Sequence, residues 1–169
     1  MRRSLDALYD AAGVLAALFL MGTLVMVLTG IAGRFLNFHV PGTDSYAGYC
    51  MAGSGFLALA HTLKRGEHIR VSLILEHVAA KSRRALELTS FAVATLLAAL
   101  FAFYSIRLSF QSWQFNDIST GNDATPLWIP QLAMAAGTLI MLIAFADELV
   151  LEWSGRRESA KPDEALHHE

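Results

Sequence analysis

Apolar positions along this 169-residue chain gather into four long runs separated by three polar connections. The first run extends from residue 11 to 33 without an ionisable side chain. The others cover about 45–63, 86–110 and 126–151. At 1.5 Å rise per residue, each is long enough to cross a hydrocarbon core of about 30 Å as a helix. The pattern therefore predicts an all-α integral membrane protein with four transmembrane helices. Cations precede the first run, as in a signal peptide. That run is longer than the usual apolar region of such a peptide, and no small-residue cleavage site closes it. It is expected to be a retained helix. Residues 1–154 form one membrane domain in this reading, and the polar stretch 155–169 is expected to be a disordered tail.

Between the second and third runs the periodicity changes. Lys64 and Arg65 stop the apolar run, and Gly66 allows a sharp turn. Val71, Ile74, Leu75 and Val78 then fall at i, i+3, i+4 and i+7, with Arg70, Ser72, Glu76 and His77 largely opposite. Such a segment, about 67–80, is too short and charged to span a bilayer but suits its surface, so a short interfacial amphipathic helix is expected there. Ile69 and Leu73 point away from its apolar face and are expected to pack on another helix. His68 and Arg70 sit at the turn, where they can meet helix-end carbonyls or lipid phosphates.

Turn and cap signals mark the other boundaries. Pro41-Gly42 is a turn signal, and Thr43 or Asp44 can cap the second helix. Thr125-Pro126 reads as an N-cap followed by proline at the first helical position of the fourth. Gly48 and Ala52, helped by Gly53 and Gly55, suggest a close helix contact, as does the stripe Ala94, Ala98 and Ala102.

Composition sharpens the class. The chain is 54% hydrophobic and 17% charged, with mean hydropathy +0.43, and that charged share is below the roughly 25% of soluble domains. The lone Cys50 rules out an intrachain disulfide and CxxC redox chemistry. Charge placement says more than the net charge of −2. With the N-terminus inside, the inner segments hold Arg2, Arg3, Lys64, Arg65, Arg70, Lys81, Arg83, Arg84, Arg156, Arg157 and Lys161. Only Arg34 and Arg107 of the 13 Lys and Arg fall outside. The positive-inside rule thus puts both termini and the central connection in the cytoplasm. Trp113 and Trp128 would flank the outer interface, Tyr9 and Trp153 the inner one. The inner cations read as a topology signal and an anionic-lipid contact, not as a nucleic-acid surface.

The chemistry-bearing residues are sparse. Pumps and channels place ionisable groups at membrane depth, and the four run centres hold none. There is no Ser/His/Asp set, paired carboxylates or Gly-rich phosphate loop, so no catalytic or substrate-binding residue is assigned, and no enzyme or cofactor is expected. The competing class is a small anchor subunit of a haem- or quinone-linked respiratory complex. It would need axial histidines on facing helices, but His39, His68 and His77 lie in connections and only His61 in a run. The His167–His168 pair is a weak metal signal and is not taken as a site. What is left lies at the interfaces. Arg34 and Asp44 bracket the first outer connection and can meet, or Arg34 can snorkel to headgroups. Arg107 lies near the outer boundary with only Asp117 or Asp123 as nearby acids, and could meet a carboxylate of another subunit.

From Gly33-Arg34, through Thr43-Asp44, to Lys64-Arg65-Gly66-Glu67-His68-Ile69-Arg70-Val71, the chain resembles the small membrane subunit of TRAP transporters, the Q component of the tripartite ATP-independent periplasmic systems. That family's pattern has an arginine closing the first helix, an acidic start to the second, and an Arg-x-Gly-x-His-Ile-x-Val-like stretch. Many members carry tryptophan and paired acids at the second helix start and an aspartate after the valine; Pro41-Gly42-Thr43-Asp44-Ser45 and Ser72 stand here instead. The resemblance implies a non-catalytic subunit in the bacterial inner membrane that supports a large transport subunit bearing the substrate and sodium sites. It further implies a periplasmic solute-binding protein that delivers an organic acid and docks with this subunit's help. Arg34, Asp44, Gly66, His68, Ile69, Arg70, Leu73 and Arg107 are the candidate contacts to subunits or lipid.

Overall fold

The computed structural model describes the backbone of residues 2–64 and 80–154 and the side chains of residues 5–63 and 84–154. The amphipathic segment expected at 67–80, with Gly66, His68, Ile69, Arg70 and Leu73, lies almost wholly outside the described residues, as does the tail from 155. Four helices are described: α1 (Arg2–Leu36), α2 (Thr43–Lys64), α3 (Ala80–Gln114) and α4 (Trp128–Trp153). Each contains one of the apolar runs and extends beyond it, except that α4 starts two residues late. Helices outlast the hydrocarbon-sized runs because the backbone bonds that favour helix within lipid continue into the flanking polar turns.

Three helices are long and apolar enough to cross a membrane: α1 over Leu5–Leu36, α3 over Arg84–Gln114, and α4. The expected fourth span is a helix of 22 residues, about 33 Å long, but it is not among those three. Its glycines, serines, tyrosines, threonines and His61 lower its apolarity. Packing gives the reason such residues suit α2. The helices lie in the order α1, α2, α4, α3, with α1 and α3 at the two ends of the row. As an inner member, α2 is flanked on both sides by protein, where small and hydroxyl side chains fit.

Glycines set how closely these neighbours approach. On α1, a Cβ at Gly13 would lie 2.9 Å from His61 Nδ1, and one at Gly22 would lie 3.2 Å from Cys50 Sγ. Gly53 of α2 receives the Phe19 ring of α1 and faces Ala133 of α4. The tightest approach is at Gly137 of α4, where a Cβ would fall 2.5 Å from the backbone carbonyl of Phe56. Gly48 and Gly55, by contrast, face open space, and Ala52 is exposed. The close-contact role expected for the Gly48–Ala52 spacing thus belongs to Gly53, which packs against both neighbours.

The alanine stripe of α3 behaves as expected and runs further. Ala98 and Ala102 are buried, and Ser105, Ser109 and Ser112 continue the same face toward the C-terminal end of α3. Ser109 donates to the Ser105 carbonyl at 3.1 Å, and Thr23, Thr29 and Thr95 likewise return their protons to carbonyls four residues earlier. A hydroxyl satisfied within its own helix can sit at membrane depth at little cost. A small core closes the helices at the end that holds the termini, where Tyr9, Ala60 and Ala144 are buried together and Leu5, Leu63 and Ile140 pack around them. Arg84 adds a tie there, its Nη2 donating to the Trp153 carbonyl at 3.2 Å. Both ends of the described chain therefore lie at the same end of the row.

Candidate functional site: the polar end opposite the termini

At the end opposite the termini the first reversal is built by local capping. Phe38 N–H donates to the Gly33 carbonyl at 3.1 Å, closing the six-residue loop of a Schellman motif, with Asn37 in the left-handed region at φ 58°. Gly33 must lack a side chain, because a Cβ there would meet the Phe38 carbonyl oxygen at 2.7 Å. At the start of α2 the cap differs from the expected Thr43 or Asp44. The Gly42 carbonyl accepts the Tyr46 N–H at 3.0 Å, so Gly42, at φ +79°, holds the capping position. Thr43 becomes the first helical residue, and Asp44 lies in the first turn, where its charge suits the helix dipole.

These two helix ends enclose a cleft of about 310 Å³ lined by Gly30, Arg34, His39, Thr43 and Asp44, among others. Arg34 and Asp44 thus face one space, as the sequence suggested. They form no ion pair within it, and both are exposed. Thr43 is only 9% exposed, and its Oγ1 sits 3.2 Å from where a Gly30 Cβ would be.

The connection between α3 and α4 folds onto the start of α2. Tyr49 donates its hydroxyl proton to Asp123 Oδ2 at 3.0 Å, and Ser119 donates to Oδ1 at 2.9 Å. The Thr125 hydroxyl lies 3.2 Å from that of Tyr46, whose ring meets Tyr49 edge-on. Desolvation pushes the Asp123 carboxyl upward, but hydrogen bonds from Thr125, Ser119, Tyr49 and its own backbone prevail and hold it well below the usual carboxylate range. Gly42 packs against Asp123 so closely that a Cβ would lie 2.6 Å from the Asp123 Cβ, so the α1–α2 and α3–α4 connections are in direct contact.

This network also overturns the expected cap of the fourth helix. Thr125 turns to Tyr46 and gives its carbonyl to Ser119 N–H at 2.8 Å. Pro126 forms an isolated antiparallel bridge with Ile118, and α4 begins at Trp128 after Leu127, without a side-chain cap. Asp123 was not singled out as a site residue by sequence reasoning. The turn residues Gly121-Asn122-Asp123 were visible, but the tyrosines that bind them are some 75 positions away. Arg107 is exposed on α3 and makes no ion pair with Asp117 or Asp123.

The end that holds the termini carries the one central histidine. His61 Nδ1 lies 3.2 Å from the Tyr9 carbonyl and 3.7 Å from Asp10 Oδ1, with its ring over Gly13. The ring thus links α2 to α1. No cluster of three or more His, Cys, Asp or Glu able to hold a metal occurs among the described residues.

An apolar row of helices whose polar contacts gather at its two ends defines a membrane-embedded helical subunit. A family model for tripartite ATP-independent periplasmic transporters, DctQ component, matches residues 23–155. The chain belongs to this family, whose members are the small membrane component of a transporter that also has a large membrane subunit and a binding protein. No curated protein and no solved structure matches it. The family leaves the respiratory-anchor reading without support.

Proposed function

We propose that this chain is the non-catalytic small permease subunit of a sodium-coupled, binding-protein-dependent secondary transporter for an organic acid. It sits in the bacterial inner membrane with both termini cytoplasmic, buttresses the large subunit and helps dock the periplasmic binding protein. The observation that carries this reading is the open row α1–α2–α4–α3. A substrate path must be surrounded by protein, and the described helices, packed chiefly as a row, enclose none. Its flanks expose large apolar side chains, such as Leu18, Leu24 and Leu28 on α1 and Leu96, Leu100 and Phe103 on α3. Such flanks suit lipid and a larger apolar partner. Arg34, Asp44 and Arg107 at the outer end, with Gly66, His68, Ile69, Arg70 and Leu73 at the inner, remain our candidates for contacts to subunits or lipid.

The test is uptake by proteoliposomes containing the large subunit and binding protein, with and without this chain. Sodium-driven uptake of an organic acid should require the chain, and the tagged chain should co-purify with the large subunit. Full uptake without it would refute the supporting role.

A further inference from the structure

The outer cleft has a combination of groups that a purely structural turn does not need. It holds a cation, Arg34, and an anion, Asp44, which line the same space without pairing. Thr43 is nine-tenths buried, and its hydroxyl makes no hydrogen bond among the described residues. That hydroxyl faces the space over Gly30, which is part of the cleft wall. The backbone N–H groups at the start of α2, a helix of 22 residues, lie at the same cleft and favour negative charge. The turn is also ringed by exposed apolar groups: Phe35 and Leu36, in the last turn of α1, are 85% and 71% exposed, with Phe38 and Val40 following in the connection.

We propose that this cleft binds the headgroup of a phosphatidylethanolamine, with its phosphate on Arg34, the Thr43 hydroxyl and the α2 N-terminus, and its ammonium on Asp44. The inference rests on the chain being membrane-embedded, which puts the helix ends at the bilayer surface. A ligand there must satisfy both charges, and phosphoethanolamine carries both. Phosphatidylglycerol offers no cation to Asp44 and would be repelled by it. Phosphatidylcholine has a quaternary ammonium without an N–H to donate to the carboxylate. The acyl chains then run over Phe35, Leu36 and Phe38, which covers apolar surface that would otherwise stand exposed.

The experiment uses the full chain, purified and delipidated in detergent and titrated with palmitoyl-oleoyl lipids of each headgroup, with adducts counted by native mass spectrometry. Phosphatidylethanolamine should bind the wild type in preference to phosphatidylglycerol and phosphatidylcholine. Arg34→Gln should weaken phosphatidylethanolamine binding by about three- to five-fold, the scale of one exposed ionic contact. Asp44→Asn should erase the preference over phosphatidylglycerol while leaving phosphate binding in place. Gly30→Leu, which fills the cleft, should remove the preference altogether. Arg34 and Asp44 are exposed, so these two variants test binding without disturbing the core, and helical circular dichroism checks that they fold. Equal adducts of ethanolamine and glycerol lipids on the wild type, or an unchanged preference in Asp44→Asn, would overturn the proposal. Displacement by an equal concentration of soluble glycerophosphoethanolamine would overturn the lipid as occupant. Because none of these readouts involves transport, their failure leaves the transporter role untouched, and failed uptake leaves the cleft assignment untouched.

Discussion

The seam between α2 and α4 makes a quantitative claim. At Gly137 the atoms nearest a new Cβ are the backbone C and O of Phe56, both at 2.5 Å. No rotamer change can relieve a clash with backbone. Restoring an ordinary 3.4 Å contact requires the helices to part by about 0.9 Å. A gap of that size forfeits a quarter to a half of each dispersion contact along the seam. Overpacking of this kind costs about 1–3 kcal/mol, while replacing glycine by alanine in a helix returns at most about 1 kcal/mol. Gly137→Ala should therefore destabilise the chain by about 1–2 kcal/mol. Gly48→Ala and Gly55→Ala meet nothing within 4 Å and keep only the favourable term.

Cys50 provides the assay. It is the only cysteine, it is partly buried, and its Sγ packs over Gly22 in the α1–α2 seam. A thiol-reactive fluorophore added during a thermal ramp in detergent then reports opening of the row. Gly137→Ala should become reactive at a lower temperature than the wild type, and Gly48→Ala and Gly55→Ala at the same or a higher one. A Gly137→Ala midpoint at or above the wild type would refute the backbone clash and, with it, the close α2–α4 seam.

Three further outcomes test other parts of the reading. Reporter fusions should give periplasmic signals at Asn37 and Asn122 and cytoplasmic signals at Ala80 and the C-terminus, and a periplasmic signal at Ala80 would reverse the proposed orientation. Because the Asp123 pKa is lowered by folding, its stabilisation is complete above the unfolded carboxylate value of about 3.9 and fades as pH falls below it; the melting gap between wild type and Asp123→Asn should be constant from neutral pH to about pH 5 and narrow below about pH 4, whereas a gap that widens on acidification contradicts the network around Asp123. Leu73→Glu should lower co-purification with the large subunit or destabilise the chain while Glu76→Ala does little, and equal tolerance of both would reduce the central segment to a lipid float.

Which of these features could be read from the chain alone follows from the range of the interactions that make them. The apolar runs within α1, α3 and α4 depend on the choice between lipid and water, which each residue makes locally, and they are plain in the sequence. The Arg34–Asp44 cleft was also visible, since a short turn between two helices must bring their ends together. That its two charges stay unpaired was not, because pairing depends on side-chain directions that spacing does not give. The Thr125-Pro126 cap failed for a related reason: Tyr46, far away in sequence, competes for the Thr125 hydroxyl, and a cross-chain partner outweighs a local capping rule.

Small residues illustrate the same limit from the side of packing. Spacing shows that a helix has a smooth face but not which neighbour fills it, so Gly48 and Gly53 look alike in sequence and differ completely in surroundings. The serines at 105, 109 and 112 were legible in principle, since they continue the alanine register, but their hydroxyls disguise a packing face as a polar helix end. The case of α2 joins these strands. Its polarity makes it the poorest span by composition, and its place between α1 and α4 is what such a composition fits. A helix with protein on both sides needs close approach and satisfied hydroxyls more than it needs oil solubility. The residues that weaken α2 as a solitary span are therefore the ones that let it hold the row together.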